Sequence, residues 1–382
     1  MPDAGMPRRV GYCTNVHAGA TLQAMLDNLR RWAPAIRDQL GDPGPLPIGL
    51  WLSRDALDEA RPLGTTVLSD AFQAIGVEVF TLNGFPFGDF HGPIVKRAVY
   101  APNWSQSDRL VYTLQLAGLL SELVPTGHAA GISTLPVAWG DITAEQVDTA
   151  AAHLRDAATW LSQLESKTGT CIHLDLEPEP GCLLQRSTDV VSFFENHLLA
   201  GGEEEMIRRH VRVCHDVCHA AVMFETQADV IATYDGAGID IGKVQLSSAV
   251  QADGPLEGEV LADLREFAEP RWLHQTSVRT ADGQVFHEDL PEALSSGNLA
   301  APDCWRVHFH VPVHLDRLGH LSTTQADLLA AIELLAGRDT ITDWEVETYA
   351  WGALPSRFNM DDLATGIAAE LAWVRQHLER AV

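Results

Sequence analysis

The side chains with the most chemical capacity in this chain are carboxylates and imidazoles at the ends of short apolar runs. Glu177 closes CIHLDLE, Asp216 closes VRVCHD with His219 three residues on, Gln245 lies in GKVQLSS, and Glu347 lies in WEVETY. Side chains alternate along a strand, so each run splits into two faces. Ile172, Leu174 and Leu176 oppose His173, Asp175 and Glu177; Val211 and Val213 oppose Arg212, Cys214 and Asp216. Val244 and Leu246 oppose Lys243, Gln245 and Ser247, and Trp344 and Val346 oppose Glu345 and Glu347. If the apolar sets face helices, the polar sets of four successive strands share one interior. Leaving such groups uncompensated there costs on the order of several kcal/mol each. A bound divalent cation is the simplest compensation, because it keeps carboxylates ionised and fills several lone pairs at once. Oxygen donors with one or two imidazoles suit Mn²⁺, Mg²⁺, Co²⁺ or Zn²⁺. A salt-bridge network through Lys243, Arg212 and Arg306 is the alternative.

These residues need a scaffold. Strand-like runs at 10–14, 48–52, 77–82, 131–136, 171–177, 211–216, 242–248 and 344–349 alternate with amphipathic helical stretches. Thr21–Arg37 carries Leu22, Met25, Leu26, Leu29 and Trp32 at helical spacing. Ala144–Thr168 follows Thr143, with Gln146 placed for a capping box. Ser187–Leu199, Glu203–His210 and Asp361–Val382 read as helices too. The alternation predicts one closed (β/α)₈ TIM barrel over residues 1–382, with a doubly wound open sheet as the other possibility. Active sites of such barrels form at the C-terminal strand ends, where Glu177, Asp216, Gln245 and Glu347 fall. Residues 249–315 interrupt the pattern and predict an insertion on that face. It holds a hairpin turning at Asp282-Gly283 and a further strand, WRVHFHVPV at 305–313. LSTTQADLL at 321–329 predicts a helix start capped by Ser322 or Thr323.

The loops after the first and third strands place Asn15, His17, Asn83, Phe87 and His91 over the same mouth, as candidate substrate contacts. GFPFGDFHG reads as an aromatic, glycine-rich lid. Lys96 and Arg97 follow it as candidates for holding a phosphate or carboxylate, and His274 and Gln275 could close the site from above. Glu179 reads as a brace, Glu345 as a deeper partner, His215 as helix-facing, and Cys214 and Cys218 as small core residues.

The composition removes several classes. With 26 Lys+Arg against 52 Asp+Glu, the 382-residue chain carries a net charge of −26, which repels phosphate backbones and anionic membranes. No apolar run approaches the roughly 18 residues a membrane span needs, and MPDAGMPRRVGYCTN lacks the apolar core of a secretory signal. Six cysteines are too sparse for a disulfide scaffold, so a reducing, cytoplasmic setting is expected. Nucleotide-binding glycine fingerprints and the GxSxG elbow are absent from the sequence.

LEPEPG (176–181), HDVCH (215–219), VQLSS (244–248) and VETY (346–349) resemble the xylose-isomerase-like sugar isomerase/epimerase superfamily, which includes ketose epimerases and zinc-dependent abasic-site endonucleases. The resemblance implies that Glu177, Asp216 and Glu347 are metal ligands. It makes His219 a substrate contact, as in the epimerases, or a ligand, as in the endonucleases. Gln245 stands where a histidine is usual, and His308 and His310 resemble the endonucleases' extra ligand pair. GYCTNVH (11–17), FTLNGFPFGDFHG (80–92), STLP (133–136), LEPEPGC (176–182), VCHDVCHA (213–220), KVQLSSA (243–249), LHQ (273–275), WRVHFHVP (305–312) and LSTTQ (321–325) further resemble the bacterial EboE family of metabolite traffic proteins. The expected activity is isomerisation or epimerisation of a sugar- or cyclitol-like small molecule. Glu177 and Glu347 would move the proton and His219 would orient a substrate oxygen. Metal-dependent phosphoester hydrolysis and non-catalytic metabolite carriage are the alternatives. A homodimer is expected by resemblance.

Overall fold

In the computed structural model, which describes residues 8–296, 304–358 and 362–381, seven parallel strands follow one another in sequence order. They are β1 (Arg9–Cys13), β2 (Leu46–Trp51), β3 (Val77–Asn83), β4 (Ala129–Thr134), β5 (Cys171–Leu176), β6 (Val211–Asp216) and β7 (Ile241–Leu246). The chain then leaves for a second sheet of β8 (Val250–Asp253), β9 (Thr276–Thr280), β10 (Gly283–His287), β11 (Cys304–Val307), β12 (Arg317–Leu318) and β13 (Leu321–Thr323). It returns as β14 (Asp343–Val346), which pairs in parallel with both β7 and β1 and closes the barrel. All eight strand runs of the sequence reading fall in this closed ring, which excludes the open sheet.

Local chemistry explains the helices around it. Ala144–Thr168 starts at a complete capping box between Thr143 and Gln146 and stops at Gly169, whose φ of 74° closes the last turn. Leu22–Leu40 buries Leu22, Met25, Leu29, Ala33 and Ile36 on one face. Ser187–Leu199 is less regular than expected: an α-helix ends at Phe193 and one π turn follows over Phe194–Leu198. The C-terminal helix is Leu363–Arg380, capped by Asp362; Asp361 and Val382 of the expected span lie outside the described residues.

The split between apolar and polar strand faces is visible in how the barrel interior is filled. Ile172, Leu174, Val213, Val244, Leu246 and Trp344 are fully buried in the hydrophobic core. Lys243, Glu345, Asp175 and His173 are buried on the opposite face, inside the ring. Three glycines make room for them. A Cβ at Gly49 would sit 1.4 Å from Glu345 Oε1, and Cβ atoms at Gly131 and Gly242 would each sit 2.0 Å from an Asp175 oxygen.

The region between β7 and β14 departs from the expected boundaries. Its sheet, ordered β10-β9-β11-β8-β13-β12, continues past residue 315 to Thr323, and residues 297–303 lie outside the described part. The hairpin turns where Asp282-Gly283 predicted. The run 305–313 is only partly strand: β11 stops at Val307, so His308 and His310 leave the sheet. Neither Ser322 nor Thr323 caps the next helix, because both belong to β13. Its N-cap is Thr324, whose hydroxyl instead accepts from Ala249 N–H at 2.8 Å.

A candidate metal centre at the mouth of the barrel

Glu177, Asp216 and Glu347 stand at the C-terminal ends of β5, β6 and β14, and their carboxylate oxygens approach within 4.8 Å of one another. Each is oriented by a different device. Asp216 caps the helix Val217–Val222: its Oδ1 accepts from His219 N–H at 2.9 Å and from Ser247 Oγ at 2.7 Å. Glu347 Oε1 accepts from Asn15 Nδ2 at 2.5 Å and Asn83 Nδ2 at 3.2 Å. Glu177 follows directly after β5, and its backbone N–H is tied to Thr134 O at 3.0 Å. Asp216 Oδ2 and Glu177 Oε2 are buried with no hydrogen-bond partner among the described residues. Burial, with Glu347 and Asp216 nearby, pushes the Glu177 carboxyl well above the usual range; burial and Asp216 raise Glu347 to about 8. Three close acids with unsatisfied oxygens cannot all ionise without a compensating positive charge.

Beside them three imidazoles converge. His308 Nε2 lies 3.2 Å from His219 Nε2 and 3.1 Å from His310 Nε2. Every Nδ1 of the trio faces an acceptor: Pro178 O for His219 at 2.9 Å, Glu347 O for His310 at 2.9 Å, and Gln275 Oε1 for His308 at 2.8 Å. The Gln275 amide is itself fixed, since Nε2 donates to Glu179 Oε1 and meets Tyr100 Oη, each at 2.8 Å. All three rings therefore carry their proton on Nδ1 and turn a lone pair inward. Burial keeps them neutral, lowering His219 to about 3 and His310 to about 4. Asp216 Oδ2 lies 3.8 Å from His219 Nε2 and 4.0 Å from His310 Nε2, which joins the carboxylates to the imidazoles. Inward lone pairs and orphaned carboxylate oxygens repel one another as they stand. The donor set fits one or more divalent cations.

The structure sorts the other expected residues. Gln245 faces the interior beside Asp216 and Glu345, but its carbonyl oxygen accepts from Cys214 Sγ at 3.5 Å. Asn15, Asn83 and Lys96 line the cavity over the centre; Lys96 is paired with Asp289 at 2.6 Å. His17 does not reach it: its ring bonds Tyr12 Oη at 3.0 Å and stacks on Trp32. Phe87 packs on Tyr112 and the Arg109 guanidinium, while Phe85 and Phe90 of the same loop supply the aromatic wall instead. His91 supports the site from behind, bonding Asn15 O at 2.6 Å. His274 is buried behind His308, with Nε2 on Glu269 at 2.9 Å. His215 bonds Gln227 at 2.8 Å on the helix side, as its strand parity implied. Arg306 pairs with Asp327 at 3.0 Å outside the interior, so it does not balance the carboxylates. Lys243 does enter the ring, but it is spent on Glu345 at 2.5 Å.

Sequence reasoning passed over Tyr100, Trp272 and Tyr349, which line the cavity from the third-strand loop, the insertion and the segment after β14. Single aromatics in loops carry no periodic signal. Glu179 was legible only as a brace. In the structure it accepts from Tyr100 and Gln275 and lies 3.6 Å from His308 Nδ1.

No protein-family model matches the chain, and neither does any curated protein sequence. Solved structures do match. An L-ribulose 3-epimerase aligns over 98% of this chain and 96% of its own, at 14% identity and a TM-score of 0.52. A xylose isomerase-like TIM barrel protein from Mycobacterium smegmatis, in complex with magnesium, aligns over 98% and 97%, at 12% identity and a TM-score of 0.51. The fold is a xylose-isomerase-like TIM barrel. In this barrel the region between β7 and β14, with its six-stranded sheet, carries two of the three converging imidazoles and the glutamine that orients one of them. No described helix is long and apolar enough to cross a membrane.

Proposed function

We propose that the protein is a divalent-metal-dependent isomerase or epimerase of a sugar- or cyclitol-like small molecule. The observation that carries this reading is the pair Glu177 and Glu347. Their carboxylates reach within 4.8 Å of Asp216 and of each other, from strands on either side of β6 in the ring, under a cavity walled by Phe85, Phe90, Trp272 and Tyr349. Glu177, Asp216, Glu347 and His219 would hold the cation, with His308 and His310 able to hold a second and Gln245 beside them. A bound divalent cation supplies polarisation of a carbonyl and stabilises negative charge on a neighbouring oxygen. Glu177 and Glu347 remove a proton from one face of the intervening carbon and return one to the other face or to the adjacent carbon. Asn15 and Asn83 steady Glu347 for that exchange through their hydrogen bonds. The aromatic wall excludes water and packs the apolar face of a ring. The L-ribulose 3-epimerase and magnesium-bound barrel with which this chain shares its fold support the same class.

One observation favours metal-dependent phosphoester hydrolysis as a second reading: three inward Nε2 atoms make room for more than one cation, as two-metal hydrolysis requires. Against it, Lys96 is the cation that lines the cavity among the described residues, and it is already paired with Asp289. The EboE resemblance leaves metabolite carriage as the non-catalytic case. Solvent exchange separates the three. Incubated in D₂O with Mn²⁺ and a panel of ketoses and inososes, an isomerase or epimerase washes deuterium into a carbon-bound position of its substrate. Glu177→Gln and Glu347→Gln would each abolish this. Phosphate release without wash-in would favour hydrolysis, and binding with neither would leave carriage.

A further inference from the structure

At the opposite, N-terminal end of the barrel a second group of ligand-type side chains comes together. Glu165 lies in the last turn of Ala144–Thr168, Cys171 opens β5, and His210 ends the helix Glu204–His210 immediately before β6. Connections at this end of a βα barrel are short, which brings the three into one corner. Cys171 Sγ, a His210 ring nitrogen and a Glu165 oxygen lie within 4.8 Å of one another.

The histidine points to a ligand. His210 is 0% exposed and its Nδ1 donates to Ile172 O at 2.8 Å, which leaves the lone pair on Nε2. That Nε2 has no hydrogen-bond partner among the described residues, and Glu165 Oε2 lies 3.4 Å from it. A buried lone pair aimed at a carboxylate oxygen is unfavourable unless something positive sits between or beside them. Arg209 binds Glu165 through two nitrogens, but a carboxylate offers about four lone-pair directions and keeps room for a further partner. A cleft lined by Glu165, Cys171, Arg209 and Asp240 gives access from solvent.

We propose that Glu165, Cys171 and His210 form a peripheral metal site for one borderline-soft divalent cation of zinc-like chemistry. One sulfur, one imidazole nitrogen and one carboxylate oxygen, with water completing the shell, match the preferences of zinc and cobalt over those of magnesium or calcium. On binding, the Cys171 S–H bond breaks, the proton leaves to solvent, and the thiolate donates its lone pair to the metal. Burial pushes the Cys171 thiol up despite Arg212 and Arg209 nearby, so the thiolate forms with the metal rather than ahead of it. The site ties the end of Ala144–Thr168 to β5 and to the end of the helix Glu204–His210.

The inference is independent of the reading of the upper centre, and Co²⁺ titration of an Asp216→Asn variant keeps the two apart. It is expected to give a near-ultraviolet thiolate-to-cobalt absorption that saturates at one equivalent. Adding Cys171→Ser abolishes that band, and adding His210→Gln weakens the affinity at least tenfold. Absence of the band, or a band that survives Cys171→Ser and is lost in Cys218→Ser, would overturn the proposal. Cys218 is the control because it neighbours His308 and His310. Should Asp216→Asn fail to fold, alkylation mapping on the unmodified protein decides. Zinc is expected to slow modification of Cys171 at least tenfold, and an unchanged rate would overturn the site.

Discussion

Gln275 accepts the Nδ1 proton of His308 at 2.8 Å, and it can do so only with its amide in one orientation, because Tyr100 and Glu179 engage its nitrogen at 2.8 Å each. One glutamine thus decides that His308 presents a lone pair to the centre. Replacing it with leucine releases the ring to either tautomer. We expect divalent-metal affinity to fall about 10- to 100-fold in Gln275→Leu, the usual effect of losing such a support. Competition against a chromogenic chelator measures it. Equal affinity in the variant would show that the tautomer is set elsewhere.

Lys243 and Glu345 form an ion pair whose side chains are both 0% exposed, just below the carboxylate cluster. Removing one charge leaves the other buried and unpaired. Lys243→Met is expected to cost about 3–5 kcal/mol in urea denaturation, and Lys243→Met with Glu345→Leu to recover most of it. If the double variant is no more stable than the single one, Lys243 acts on Glu177 and Glu347 rather than chiefly on Glu345.

Glu370 fastens the C-terminal helix to the loop behind Glu347. It accepts from Thr348 Oγ1 at 2.6 Å, Trp351 Nε1 at 2.9 Å and Val313 N at 3.0 Å. Burial raises its carboxyl from 4.5 to about 7. Its folded pKa lies above the unfolded one, so the folded state holds the extra proton between those values. The stabilisation is complete below about pH 4.5 and is lost as pH rises through 7. Wild type should therefore lose up to about 3 kcal/mol relative to Glu370→Gln between pH 4.5 and 7.5. Denaturation midpoints of the two proteins across that range test the sign; parallel curves would contradict it.

Much of the barrel was readable because strand parity and helical spacing are local. Alternation put Glu177, Asp216 and Glu347 on the interior face, and the rule that barrel sites form at C-terminal strand ends, with the superfamily resemblance, picked them out from Glu179 and Glu345. What local pattern could not supply was the cross-chain geometry. His308 and His310 looked like neighbours on one strand face. Instead they leave β11 at Val307 and bring their Nε2 atoms together with His219, which lies about ninety positions away in the sequence. His17 and Phe87 misled for the converse reason. Their loops do reach the mouth, but Trp32 and Tyr112 on the adjacent helices offer those rings better packing. Gly49, Gly131 and Gly242 carried a signal that composition hides: a strand omits its side chain where a carboxylate from across the ring needs the space.

The central claim is that the carboxylates and imidazoles at the mouth hold divalent metal, and the most direct test is elemental analysis of chelator-free protein. It is best run in a Cys171→Ser background, so that the lower corner cannot contribute. At least one equivalent of Mn, Co, Zn or Mg per chain is expected, lost when Asp216, which joins the two ligand groups, is changed to asparagine. A folded protein that takes up no divalent metal even after reconstitution, or one whose metal survives Asp216→Asn, would contradict it.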